Sequence, residues 1–169
     1  MGSRPAKYLI HIIQQPAFNV KMRGGRIRTK TRACLLIVDD SRETVAGLSC
    51  YFSRRFDVLG AFDGNEGLRL LEDPRKPVDL VIADLIMPGI SGLQLISMVK
   101  SRYPGLPVIA MTGWYSCPDQ LAASTEADCI LFKPFELELL EEQVVRLLGR
   151  HDQQRETVVQ RVRTQNRRA

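Results

Sequence analysis

The sequence predicts an α/β fold, a doubly wound parallel sheet of five strands with helices on both faces. Three observations predict it. Five short apolar runs alternate with segments whose apolar residues recur at helical spacing. The runs are continuous rather than alternating in polarity, as in strands buried on both faces. Four of them also end on polar residues: Val38 leads into Asp39 and Asp40, Ala83 into Asp84, Met111 into Thr112, and Phe132 into Lys133 and Pro134. Right-handed crossovers between such strands place the helices alternately on the two faces.

Each element follows from local chemistry. CLLIV, Cys34 to Val38, suits a central strand, and Ser41 can cap a helix running to about Ser53 with Val45, Leu48 and Phe52 on its inner side. A second strand is expected over Phe56 to Ala61. A helix over Asn65 to Glu72 follows, carrying Leu68 and Leu71 and ended by Pro74. Val78 to Ala83 reads as the third strand. The loop through Pro88, Gly89 and Gly92 leads to a helix with Leu93, Leu95, Ile96 and Val99 as core candidates, closed near Pro104. Pro107 to Met111 and Asp128 to Phe132 supply the last strands, with a weak helix, Asp119 to Thr125, between them. The final helix, Glu136 to Leu148, offers Leu137, Leu140, Val144 and Leu147 or Leu148 to the core, with Gly149 as its stop.

The polar residues at the strand ends carry the functional signal. In an open α/β sheet the carboxyl ends of parallel strands share one edge, where ligands bind. Three carboxylates crowded there beside an ammonium and a hydroxyl repel one another unless a divalent cation is bound. The edge therefore reads as a Mg²⁺-dependent phosphoryl-accepting site.

The segments LLIVDD, VIADLIMPGISGLQL, VIAMTG and LFKPF occur in an order and spacing that resemble the response-regulator receiver family of two-component signalling, from about Ala33 to Gly149. The resemblance implies a flavodoxin-like strand order, 2-1-3-4-5, which periodicity alone does not give. It further implies that Asp84 is the phosphoacceptor, a carboxylate nucleophile forming an acyl phosphate. Asp39 and Asp40 match the family's metal-binding acids, and the Ile86 carbonyl its backbone ligand, with Mg²⁺ as the cofactor. Lys133 matches the phosphate-binding lysine, and Thr112 the hydroxyl that draws its loop inward once phosphate adds charge and acceptors. A cis peptide between Lys133 and Pro134 is implied as well.

The implied partners are a sensor histidine kinase or a histidine phosphotransfer protein, together with an output protein or a second copy of the chain. Two departures stand out. The position three before Lys133, often aromatic in the family, is Ile130, so an aromatic ring cannot be the readout there. Ile86 and Trp114 flank the expected path of the hydrolytic water with apolar bulk, which predicts slow dephosphorylation.

Charge divides the chain of 169 residues, whose net charge is +5 and whose hydrophobic content is 44%. Residues 1–32 hold eight bases and no acid, residues 33–149 carry a net −7, and residues 150–169 a net +4. An acidic receiver domain thus bears a basic N-terminal extension and a basic C-terminal tail. RGGRIRTKTR, Arg23 to Arg32, resembles nucleic-acid-binding tails in composition. A disordered, solvated leader is the blander reading and the one preferred here; Met22 also competes with Met1 as the start.

Cys34, Cys50, Cys117 and Cys129 are widely spaced without a nearby histidine cluster, which fits reduced thiols rather than zinc or a disulfide scaffold. YLIHII, Tyr8 to Ile13, falls far short of the ~20 residues of a membrane span. No membrane association and a cytoplasmic location are expected. The chain reads as a stand-alone switch rather than an enzyme in its own right. A haloacid-dehalogenase-type phosphohydrolase would want a second acid where Ile86 stands. A degenerate receiver, binding protein or nucleic acid without phosphorylation, is the alternative.

Overall fold

The computed structural model describes residues 19–23, 26–30, 32–113 and 124–166. Met1–Ala33 and Cys34–Ala169 form two units. In the first, β1 (Asn19–Arg23) and β2 (Arg26–Lys30) pair antiparallel, with Val20 opposite Thr29 and Met22 opposite Ile27. A disordered leader was expected here. The charge of this stretch masks a period-2 alternation in the sequence.

The second unit holds β3 (Cys34–Val38), α1 (Arg42–Phe52), β4 (Asp57–Ala61), α2 (Gly64–Glu72), β5 (Leu80–Asp84), α3 (Gly92–Arg102), β6 (Val108–Thr112), β7 (Cys129–Phe132) and α4 (Leu137–Asn166). The sheet is parallel, in the order β4-β3-β5-β6-β7, which is the 2-1-3-4-5 order counted within this unit. Its three central strands, β3, β5 and β6, are buried along their whole length. That is why they read as unbroken apolar runs. Each buried Leu, Ile or Val contributes about 1.5–3 kcal/mol relative to leaving it exposed.

The helices dock with the faces their spacing predicts. Val45, Leu48 and Phe52 of α1, Leu95, Ile96 and Val99 of α3, and Leu140, Val144 and Leu147 of α4 are all buried. Ser41, Asp63 and Ser91 cap α1, α2 and α3, the last in a reciprocal capping box with Gln94. Such caps contribute about 1 kcal/mol each.

Two expectations need correction. The third strand of the sheet, β5, starts at Leu80, not Val78, because buried Asp79 is engaged at the start of the sheet. Its N–H donates to the Cys34 carbonyl at 2.8 Å and its carboxylate accepts the Cys34 N–H at 2.8 Å. The last helix also does not stop at Gly149. The left-handed φ of a glycine stop is absent there, since Gly89 is the only described residue with positive φ, and α4 continues to Asn166. The weak helix expected over Asp119 to Thr125 lies mostly outside the described residues, as do Trp114 and Cys117. Among the described residues no helix is long and apolar enough to cross a membrane.

Candidate functional site

Register gathers the polar strand ends. Val38 of β3 is level with Ala83 of β5, so the next residues, Asp39 and Asp84, emerge side by side. Thr112 ends β6 opposite Phe132 of β7, which delivers Lys133 to the same edge. The Lys133 N–H donates to the Thr112 carbonyl at 2.7 Å, so the ladder runs one step beyond the last strand. The Lys133–Pro134 peptide is cis.

Asp39, Asp40 and Asp84 each place a carboxylate oxygen within 4.8 Å of the others. Asp39 is 1% exposed and Asp84 is buried at its mouth, whereas Asp40 is open to solvent. The Lys133 ammonium donates to Asp39 Oδ2 and to Asp84 Oδ2, both at 2.7 Å. The remaining oxygens of these two acids accept backbone donors: Ser41 N–H on Asp39 Oδ1 at 2.9 Å, and Ile86 N–H on Asp84 Oδ1 at 3.1 Å. Burial pulls the Lys133 ammonium down, but the hydrogen bonds and charges of Asp39 and Asp84 outweigh it and hold its pKa above the ordinary lysine value. Lys133 is therefore a fixed positive charge at neutral pH.

Three carboxylates against one ammonium leave a formal charge of −2 in a partly buried space. Hard oxygen donors converging at this distance fit a small divalent cation such as Mg²⁺, which takes few carboxylates and keeps several waters. Thr112 is fully buried at the end of β6. Ile86, directly beyond the Asp84 loop, is 57% exposed, an apolar side chain at the mouth. Ile130 lies in β7, half-buried against the core.

The site has supports that sequence reasoning did not single out. Ser41 ties α1 to Asp39 as well as capping the helix through Thr44. Gly92 stands where a Cβ would lie 2.0 Å from the Asp84 carbonyl oxygen and 2.6 Å from Leu85 Cα. Only glycine lets α3 begin so close behind the central carboxylate. Its one signal in the sequence is a glycine directly after a capping serine. The Arg42 guanidinium lies over the Phe62 ring at 4.4 Å, a pairing across twenty positions that no local pattern announces.

Comparison with known proteins agrees with this fold. A family model described as the response regulator receiver domain matches residues 35–145. The transcriptional regulatory protein GlrR of Escherichia coli (strain K12) is 41% identical over 95 residues, covering 56% of this chain and 21% of that protein. The transcriptional activator protein PfeR of Pseudomonas aeruginosa is 35% identical over 118 residues, covering 69% of this chain and 38% of that protein. The chain thus spans well under half the length of these relatives. Among solved structures, a response regulator receiver domain protein from Clostridium thermocellum superposes with a TM-score of 0.65 at 27% identity, covering 71% of this chain and 97% of that one.

Proposed function

The chain belongs to the response regulator receiver domain family, and we propose that it is a Mg²⁺-dependent phosphoacceptor switch whose nucleophile is Asp84. The observation that carries this reading is the meeting of Asp39, Asp40 and Asp84 within 4.8 Å, with Lys133 bound to two of them. The donor is a sensor histidine kinase or a histidine phosphotransfer protein, and the reader is an output partner in the same cytoplasmic compartment.

Asp84 attacks phosphorus with a carboxylate oxygen, forming an acyl phosphate while the phosphorus–nitrogen bond to the donor imidazole breaks and the electron pair leaves with the imidazole. Both Asp84 oxygens are already hydrogen-bonded, yet each keeps a second lone pair for the attack. Lys133 needs only to follow the charge: its ammonium sits between Asp39 and Asp84 and can pass to a phosphoryl oxygen without leaving the edge. Asp39, Asp40 and Asp84, with the Ile86 carbonyl, would hold Mg²⁺, and the chemistry supplied there is neutralisation of charge on the phosphoryl oxygens. Thr112 then donates its hydroxyl to the new phosphoryl group, pulling the chain after β6 toward the site. With Ile130 in place of an aromatic ring, that movement is transmitted by aliphatic packing against the core.

The test is intact mass after incubation with acetyl phosphate, with and without Mg²⁺, on the wild type and on Asp84→Asn. A metal-dependent phosphoryl adduct that vanishes in the variant is expected. A folded, Mg²⁺-loaded wild type that takes up no phosphoryl group sinks the proposal.

A further inference from the structure

A cation at the carboxyl edge of the sheet has no part in the chemistry described so far. Val38 of β3 is level with Ala61 of β4, so Asp39 and Phe62 leave the sheet side by side, on the flank of β3 away from Asp84. The Phe62 N–H donates to Glu66 Oε2 at 2.8 Å while Asp63 caps α2, which fixes the backbone that carries the ring. Arg42 begins α1 directly after Asp40 and Ser41, and its guanidinium carbon lies 4.4 Å from the centroid of that ring.

We infer that Arg42, held on Phe62, is a specificity-determining residue that receives the anionic phosphoryl donor at the rim of the site. The inference rests on the phosphoacceptor reading and deepens it. Arg42 stands where a cation does not help the helix, because the first turn of α1 is the positive end of the dipole and favours acids such as Glu43. Nor is its charge spent on a carboxylate. Among the described residues Arg42 is exposed and makes no ion pair or side-chain hydrogen bond, in contrast to Arg55, Arg75 and Arg102, each of which bridges to an acid. An aromatic ring holds a cation in place without neutralising it, and the forked N–H donors of arginine suit phosphate oxygens.

The edge needs such a charge. Asp39, Asp40 and Asp84 oppose an incoming phosphate dianion, and the ammonium of Lys133 is already held between two of them. Adjacent strands are about 4.8 Å apart, so Phe62 and Asp84, on either side of Asp39, are separated by about 10 Å at the backbone. That is about one Debye length at 0.1 M salt, so the charge on Arg42 is felt at the nucleophile and fades as salt rises.

The test is the initial rate of adduct formation at saturating Mg²⁺ with two donors: acetyl phosphate, a dianion at neutral pH, and phosphoramidate, whose protonated nitrogen leaves a net monoanion. Arg42→Gln is expected to raise KM for acetyl phosphate about fivefold at low ionic strength with kcat unchanged, and KM for phosphoramidate about twofold. In about 1 M sodium chloride, where the Debye length is about 3 Å, both differences close. Arg42→Lys keeps the charge and stays within about twofold of wild type, whereas Phe62→Leu keeps the charge without the ring and raises KM for acetyl phosphate about twofold. Thermal melts check that each variant is folded. An unchanged KM in Arg42→Gln would overturn the inference. So would equal slowing with both donors at every salt concentration, or an Arg42→Lys as slow as Arg42→Gln, because either marks a structural effect and not recognition of charge. A wild-type KM in Phe62→Leu would overturn the part given to the ring. A wild type that forms no adduct with either donor is a different failure, since it removes the phosphoacceptor reading itself.

Discussion

The two ends of the central sheet treat aspartates in opposite ways. At the amino end, buried Asp79 accepts the Cys34 N–H, and its own N–H returns a bond to the Cys34 carbonyl. Asp128 accepts the Val108 N–H at 2.7 Å and pairs with Lys100, which also donates to the Leu106 carbonyl. Each acid there is answered by donors fixed in the fold. At the carboxyl end, Asp39 and Asp84 share the ammonium of Lys133, and Asp40 stands beside them with its carboxylate within 4.8 Å of theirs. Balanced acids lock strands in register, whereas the excess of acid at the carboxyl end suits the cation and phosphoryl group of the proposed switch. The same residue type thus ties strands at one edge and, in the proposed switch, serves chemistry at the other.

The sharpest way to break this contrast after Asp84→Asn is to move Asp84 without changing its chemistry. In Gly92→Ala the added methyl would sit 2.0 Å from the Asp84 carbonyl oxygen, so the Asp84–Leu85 backbone must shift. A displacement of this kind slows the initial rate of phosphorylation from acetyl phosphate about 10- to 100-fold. An unchanged rate would mean that the carboxyl edge tolerates movement, and the idea of a tightly placed nucleophile would fall.

The amino end predicts the reverse pattern. Asp79→Ala takes the acceptor from a buried Cys34 N–H, at a cost of about 1–3 kcal/mol in denaturant unfolding. The phosphoryl adduct should still form at wild-type yield wherever the variant is folded. If Asp79→Ala instead lost the adduct while folded, the two edges would not be separable.

Much of this division was legible in the amino-acid sequence, for a physical reason. Central strands buried on both faces must be apolar throughout, so the polar residue that ends each run marks the sheet edge, and Asp39, Asp84, Thr112 and Lys133 stood out. Strand order was not legible, because no periodicity records which strands are neighbours. Asp79 was absorbed into the third strand, because an acid satisfied by backbone donors leaves no trace in composition. Gly149 misled because glycine near a helix end is a preference costing only about 1 kcal/mol against alanine, which the continuing helix overrides. The hairpin was hidden by its own charge, since composition spoke louder than alternation.

Asp40 gives the smallest effect but the finest discrimination, because it is exposed and its replacement opens no cavity. If the carboxyl edge holds like-charge repulsion, Asp40→Asn removes one of three charges and raises the thermal midpoint slightly in chelator. In Mg²⁺ the order should invert. The wild type gains RT ln(1 + [Mg²⁺]/Kd) from binding, about 2.7 kcal/mol at a hundredfold excess over Kd, and the variant, having lost a donor, gains less. Asp79→Ala, by contrast, should show the full Mg²⁺ increment on a lower baseline, since its change lies at the other end of the sheet. Thermal melts of the three proteins with and without Mg²⁺ therefore read charge balance directly. A variant at Asp40 that is no more stable than wild type in chelator would show that Lys133 and solvent already balance the edge, and the distinction between the two ends would lose its electrostatic basis.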